Sequence, residues 1–560
     1  MNIPTPALVA QRAAQPLPRW ALWLFCAAYL LPGVVGRDPW KNADVTAFGI
    51  MAAMAEGRTS WLTPTLGGIP LDTALLPHWL GAAFIALLTP WIDAPMAARI
   101  PFVLLLAATL SLTWYATFQL ARTEAAQPVA FAFGGEANTV DYARALADGA
   151  MLALMATLGA LQLGHETTPE LAQLASVALA LWALAAAPFR GLRPRLAILG
   201  ALPLLAASGA PSMAVGLGVL GTLICKRSTF DAVRRFVPWV AAATAASMLV
   251  GATVHSWAWR IDADAFREAP RIGRLLLWFL WPSWLLALWT LLRWRHHLQN
   301  RHIAIPLSAA GFAVVASIAM GGSDRALMLG LPGFAVLAAF ALPTLKRGTS
   351  AAVDWFSVFF FSACAIGAWV IYAAVQVGIP AKTASNIAKL APGFEATFSP
   401  VSLAFAVAGS VVWIALVRWR TGRHRHALWK SLVLPAGGVA LCWLLLMTLW
   451  LPLLDYARSY RPWTDRVARH VPAGACIAAR GVPMSAVAAL EYFGRWRVEA
   501  SSRSTLPEAT AGCDFLLVAE ARNKPVPAPA GWVYIARENR PTDRDEVTAI
   551  YRRGQAAGAR

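Results

Sequence analysis

The chain is written in long apolar blocks separated by short polar breaks. Blocks such as Trp20 to Val35, Phe102 to Leu120, Leu275 to Leu292 and Ala326 to Leu342 hold almost no charge. Roughly 17 to 25 such residues are what a helix needs to cross about 30 Å of hydrocarbon. Fourteen blocks can be counted, near 17–36, 74–92, 98–121, 146–164, 171–189, 195–209, 211–226, 235–255, 274–294, 303–322, 325–345, 355–378, 401–418 and 429–454. The pattern predicts a polytopic α-helical membrane domain over 1–454. From Asp455 the pattern changes to helix Tyr460 to His470, strand Ala475 to Ala479, helix Pro483 to Phe493, then strands Trp496 to Glu499, Phe515 to Ala519 and Trp532 to Ala536. Alternating strands and helices predict a small soluble α/β domain over 455–560.

Composition agrees with the pattern: 58% of the 560 residues are hydrophobic and 14% charged, against about 25% charged in soluble domains. The net charge of +19 would suit nucleic acid if it were gathered on one surface. Instead the basic residues sit in short breaks at 190–195, 226–235, 293–302, 346–347 and 418–430. That is the positive-inside pattern, so the charge marks a cytoplasmic face rather than a nucleic-acid partner. Arg12 and Arg19 place the N-terminus inside, the 37–73 loop outside, and the C-terminal domain outside, which in a bacterial inner membrane is the periplasm. An inside start and an outside end require an odd number of crossings. The expectation is thirteen to fifteen, with the irregularity at 122–146, where Pro128 to Phe133 is followed by Glu136, Asp141 and Arg144, a pattern open to a half-helix, a broken crossing or a loop. Cys26, Cys225, Cys364 and Cys442 fall in or beside apolar blocks. Cys476 and Cys513 lie in the C-terminal domain and pair only if it faces an oxidising compartment and they meet in space.

The first external loop concentrates the candidate chemistry. It reads Gly36-Arg-Asp-Pro-Trp-Lys-Asn-Ala-Asp44, an amphipathic stretch Val45 to Glu56, Ser60-Trp-Leu-Thr-Pro-Thr-Leu-Gly-Gly-Ile-Pro70, Asp72, and Leu76-Pro-His-Trp79. Asp38 and Asp44 stand beside Arg37 and Lys41. A carboxylate there can act as general base toward a hydroxyl while the cations hold a phosphate; the same spacing also suits a solvated loop with incidental ion pairs. Asp72 with His255 or His78 offers ordinary ligands for a divalent metal ion, although isolated histidines, like His165 with Glu166, are more often structural.

Arg37-Asp-Pro-Trp40, Asp44 and Ser60 to Pro70, followed by Arg99-Ile-Pro, by Asp148 opening an apolar helix, by Arg325 with Leu327-Met-Leu-Gly-Leu-Pro332, and by Glu491-Tyr-Phe-Gly-Arg495, come in a characteristic order. In this order the chain resembles membrane glycosyltransferases of the GT-C superfamily, in the branch of the lipid A aminoarabinose transferase and the protein O-mannosyltransferases. The resemblance implies a polyprenyl-phosphate sugar as donor, a lipid or protein acceptor, and inversion at the outer membrane face. It makes Asp44 the catalytic base and Arg325 the grip on the donor phosphate, with Arg37, Asp38, Lys41, Asp72, His78 and Asp148 as further substrate-binding candidates. The chain departs from the family at Val45, where a Glu is expected, and at Asp72-Thr-Ala-Leu-Leu76, where a Glu-Lys-Pro-Pro-Leu run is expected. Thr73 thus replaces the phosphate-contacting Lys. Gly209-Ala-Pro-Ser212 replaces a Lys-Gly pair. These departures define the alternative, a GT-C-fold protein that has lost catalysis and serves as a binding or assembly partner in envelope glycan synthesis. A transporter is disfavoured, because paired halves and mid-membrane ionisable groups are not evident.

Overall fold

The apolar blocks fold as helices because a backbone in hydrocarbon must satisfy its own hydrogen bonds. The computed structural model describes residues 5–72, 74–253, 261–262, 268–422, 427–501, 512–521, 529–543 and 546–554. The helices that position the site are α1 (Arg19–Leu30), α2 (Ala43–Ala55), α3 (Leu75–Leu88), α4 (Ala94–Ala121), α5 (Thr139–Ala156), α6 (Gly159–Leu163) and α7 (Pro169–Ala186). Next come α8 (Leu192–Ala207), α9 (Pro211–Lys226), α10 (Asp231–Arg234), α11 (Val237–Thr253), α12 (Ala269–Phe279), α13 (Ser283–Arg293), α14 (Arg301–Ala319), α15 (Asp324–Met328) and α16 (Leu331–Ala341). The remainder of the bundle is α17 (Arg347–Val377), α18 (Ala381–Leu390), α19 (Pro400–Thr421) and α20 (Lys430–Thr448).

Helix α4 packs on α5 and α7, α16 on α5, α13 and α14, and α20 on α5, α17 and α19. Among the described residues seven helices are long and apolar enough to cross a membrane, or eight when α12 and α13 count as one span. The central α20 is 78% buried over its apolar window and the outer α19 only 11%. Val401, Phe405 and Val411 on α19 are therefore the lipid face, not an anomaly.

Of the alternatives open for 122–146 the structure shows the loop, and it bends a span that the sequence does not mark. The stretch 122–146 holds one 3₁₀ turn, Glu124–Ala126, and no helix until Asn138 caps α5 by accepting the Asp141 N–H at 2.9 Å. The irregular crossing lies instead at 274–294, where α12 turns 90° from α13. Each has 11 residues, about 17 Å of rise, so neither spans alone.

Beyond α20 a short helix, α21 (Leu451–Arg458), leads into α22 (Arg461–Val467) and α23 (Met484–Tyr492). In the first loop, β1 (Thr65–Leu66) and β2 (Ile69–Pro70) form a hairpin. Its turn is Gly67-Gly68, with φ of 57° and 74°, the left-handed pair that a tight two-residue hairpin demands. The C-terminal sheet comprises β3 (Cys476–Arg480), β4 (Arg497–Ser501), β5 (Phe515–Ala521), β6 (Trp532–Asn539) and β7 (Glu546–Arg553) in the order β4-β3-β5-β7-β6. The first three are parallel, and β7 runs antiparallel to both neighbours. Strand β7 escaped sequence reading because charged residues flank its short apolar run, yet it lies inside the sheet.

Cys476 and Cys513 form a disulfide closing 37 residues of chain. Loop closure of that length restricts the unfolded chain by about 4 kcal/mol. Cys513→Ser is expected to lower the melting temperature of the C-terminal domain while the membrane helices keep theirs, read by circular dichroism of the full chain. An unchanged melt would remove the disulfide from the stability account.

The domain is docked on the first loop. Helix α2 was expected to be amphipathic, yet residues from Asp44 to Met54 are nearly all buried, because the bundle covers one side and α23 the other. A Cβ on Gly49 would stand 2.6 Å from the Ala488 Cβ. Gly49→Val is expected to force α2 off α23 at a cost of about 1–3 kcal/mol, seen as new protease cleavage between residues 455 and 475. Resistance equal to wild type would show that the contact yields without cost.

Candidate functional site

Asp44 lies in the first turn of α2, where exposed helix N–H groups favour an acid. It is 1% exposed. Its Oδ2 accepts the Trp40 backbone N–H at 3.0 Å, and its Oδ1 accepts the Thr167 N–H at 2.8 Å and the Thr167 hydroxyl at 2.9 Å. Arg37 Nη2 stands 3.9 Å from Oδ2. The carboxylate is therefore fixed in orientation from both the first loop and the turn before α7.

Arg37 is itself 2% exposed. Its Nη2 donates to the His165 carbonyl at 2.5 Å, and its guanidinium stacks 4.9 Å from the Trp40 ring. The nitrogens Nε and Nη1 of Arg37 and Nε of Arg99 are buried without a hydrogen-bond partner. Arg99 is 3% exposed and lies within electrostatic reach of Arg37, Asp44, Asp38 and Asp455. Each unpaired buried donor costs about 1–3 kcal/mol. Two guanidiniums in that state beside one carboxylate suit an oxygen-rich anion such as a phosphate.

The segment that joins these groups is His165 to Glu170, of which the sequence reading names only His165 and Glu166, and those as structural. Thr167 holds Asp44, while Glu166 and Glu170 take Arg325 at 2.7 and 3.1 Å, and Thr168 takes it at 3.0 Å. Burial raises the Glu166 carboxyl above the usual carboxylate range, and the charge of Asp44 raises it further, against the pull of Arg325. Asp44 and Arg325 are thus brought to one segment, as the first loop and the late Arg suggested separately. The signal available in sequence was two acids flanking Thr-Thr-Pro at a helix start.

Other candidates go elsewhere. Asp38 takes both Arg461 Nη2 and Nε, at 2.7 and 2.9 Å, and Lys41 faces Asp543 at 3.4 Å. Both engage the C-terminal domain. Burial pushes the Asp455 carboxyl, which accepts the Trp40 indole N–H at 2.7 Å, up to about 6. Asp148 accepts the Leu17 N–H and the Trp114 indole N–H at 2.7 and 2.8 Å. Leu17 precedes α1, whose 12 residues rise about 18 Å toward the first loop, so Asp148 sits toward the far end of the bundle. His78 is buried, and its Nδ1–H donates to the Ala74 carbonyl at 2.6 Å. Asp72 is exposed. Thr73 and His255 lie outside the described residues. Among those described, the one cluster of metal-type donors is Cys476, Glu499 and Cys513, of which two form the disulfide.

No protein-family model matches this chain, and no curated relative does. Solved structures do. The aminoarabinose transferase ArnT from Cupriavidus metallidurans, bound to undecaprenyl phosphate, superimposes with a TM-score of 0.60 over 97% of this chain and 98% of that one, at 13% identity. Its apo state superimposes with a TM-score of 0.60 over 95% and 96%, at 12% identity. The fold is GT-C. The arabinosyltransferase EmbB from Mycobacterium smegmatis aligns over 92% of this chain but 46% of its own, with a TM-score of 0.40. Within the GT-C frame, first loop, membrane bundle and C-terminal sheet domain all have counterparts in ArnT, since nearly the whole of both chains is matched.

Proposed function

We propose that this chain is an inverting glycosyltransferase moving a sugar from an undecaprenyl-phosphate-linked donor to an acceptor outside the bacterial inner membrane: lipid A, another envelope glycan or a protein. The observation that carries the reading is Asp44, fixed by three hydrogen bonds beside Arg37 and Arg99 in a GT-C fold. Asp44 takes the proton of the acceptor hydroxyl, and the acceptor oxygen attacks the anomeric carbon opposite the phosphate. The bond from that carbon to the phosphate oxygen breaks, and the polyprenyl phosphate leaves with its charge held by the arginines. ArnT's undecaprenyl phosphate supports this class of donor.

Two departures from the family find physical replacements in this reading. Val45 belongs to the same buried cluster as Val487 and Trp463 of the C-terminal domain, and the second acid beside Asp44 comes from Glu166. Where Thr73 cannot hold a phosphate by charge, Arg37 and Arg99 offer unpaired donors. The disulfide supports an oxidising, periplasmic setting for the C-terminal domain. Arg420 bonds the Lys430 carbonyl at the bundle end remote from the site, in keeping with a cytoplasmic basic face.

The complete burial of Asp44, with both its oxygens engaged, favours the alternative of a non-catalytic GT-C protein that binds an envelope component. Mass spectrometry of envelope lipids and glycoproteins from wild-type, deletion and Asp44→Asn cells separates the two. A sugar-sized loss in both mutants supports transfer; a product intact in the point mutant supports the alternative.

A further inference from the structure

The segment carrying Arg37 to Lys41 is gripped by the strap 455–461, which runs from the last turn of α21 to the first residue of α22. Arg461 donates twice to Asp38, at 2.7 and 2.9 Å, and Ser459 Oγ donates to the same carboxylate at 2.9 Å. The Lys41 N–H donates to the Arg458 carbonyl at 2.8 Å, and the Trp40 indole N–H to Asp455 at 2.7 Å. Two cations lie over the Trp40 ring, Arg37 at 4.9 Å and Arg458 at 5.2 Å from its centroid. One half-exposed ion pair would be a weak tie. Here the Arg–carboxylate pair is bidentate, Asp38 is 16% exposed, and the other ties act on Asp38 itself, Trp40 and Lys41.

This grip acts on the site through one peptide group and one side chain. The Trp40 backbone N–H is one of the donors that orient Asp44, and Arg37 is its counter-charge. We propose that Arg461 is a positioning residue: through Asp38 it holds the Arg37–Trp40 segment in the register that aims Asp44 and the Arg37 guanidinium. The proposal rests on the transferase reading for its consequence in turnover, but its geometric content stands apart from that reading. It gives the C-terminal domain a task beyond covering α2, because the strap 455–461 reaches Asp44 by way of one side chain and one peptide group.

Hydrogen exchange on the full chain in detergent tests it, using Arg461→Ala and Arg461→Lys. Exchange in the peptide covering residues 37–48 is expected to quicken about tenfold in Arg461→Ala, with β3 and β5 unchanged and Arg461→Lys intermediate. With undecaprenyl-phosphate-linked sugars as probes, kcat is expected to fall about 10- to 100-fold at unchanged KM for the donor, as for a displaced catalytic group. Unchanged exchange at 37–48 overturns the proposal, and so does faster exchange spread equally through the domain. If wild type turns over no donor while 37–48 still loosens, the clamp stands and the transferase reading falls.

Discussion

Asp44→Asn is expected to abolish sugar transfer and to destabilise the fold, and the two effects can be told apart. As a general base, Asp44 accounts for about 10²- to 10⁴-fold in rate. The amide cannot replace it, because its nitrogen has no basic lone pair at neutral pH. It cannot replace the hydrogen bonds either. Oδ1 and Oδ2 accept from donors on opposite sides, so one side of an Asn must turn an NH₂ toward an N–H. Arg37, 2% exposed, loses its counter-charge at the same time. Breaking a buried pair from one side costs about 3–5 kcal/mol. Removing both charges avoids most of that cost, so Arg37→Met with Asp44→Asn is expected to recover most of the stability but none of the transfer. Thermal unfolding and product mass spectrometry of the single and double variants check this. Transfer surviving in Asp44→Asn would end the base assignment; additive instability in the double variant would end the pairing.

The fold was largely legible because hydrocarbon imposes a simple rule on sequence. Each apolar block contains a helix, and the order of strands and helices after Asp455 survives except for β7. What escaped was whatever depends on contacts between distant segments. Helix α2 is apolar on nearly every side rather than amphipathic, and the surface that closes over its second side, Ala488 against Gly49, belongs to a distant part of the chain. The 90° bend between α12 and α13 lies in a block whose hydropathy runs on through Trp281-Pro282 without a break. The site divides the same way. Asp44 and Arg325 stand out in one dimension, since each sits in a local run, Arg37-Asp-Pro-Trp40 to Asp44 and Arg325 to Pro332, that carries the GT-C resemblance. Glu166 and Thr167 do not, because their part is defined only by what they touch. Asp38 and Lys41 look alike beside Asp44 in sequence, yet their partners Arg461 and Asp543 lie more than 400 residues away.

Arg325→Met is expected to destabilise the protein by about 3 kcal/mol near neutral pH, and by less in acid. Arg325 answers two carboxylates, and Glu166 is only 5% exposed. Its loss leaves Glu166 with a neutral donor, Gln162 at 3.1 Å, and with Asp44 as a like charge nearby; removing one member of a buried pair carries this order of cost. The pH dependence follows from the direction of the Glu166 shift. Even with Arg325 present, the folded-state value lies above that of an unfolded Glu, about 4.3. Between the two values the folded state holds more protons than the unfolded, so this group makes stability fall as pH rises through that window. Without Arg325 the folded value moves higher and the window widens upward. The deficit of Arg325→Met relative to wild type should therefore be larger in a neutral buffer than in an acidic one. Asp455, held near 6 by burial, has no bond to Arg325 and cancels in the difference. Paired melts in detergent at the two pH values decide the matter. A deficit independent of pH would mean that Glu166 stays ionised without Arg325, and that the arginine's role is packing rather than charge.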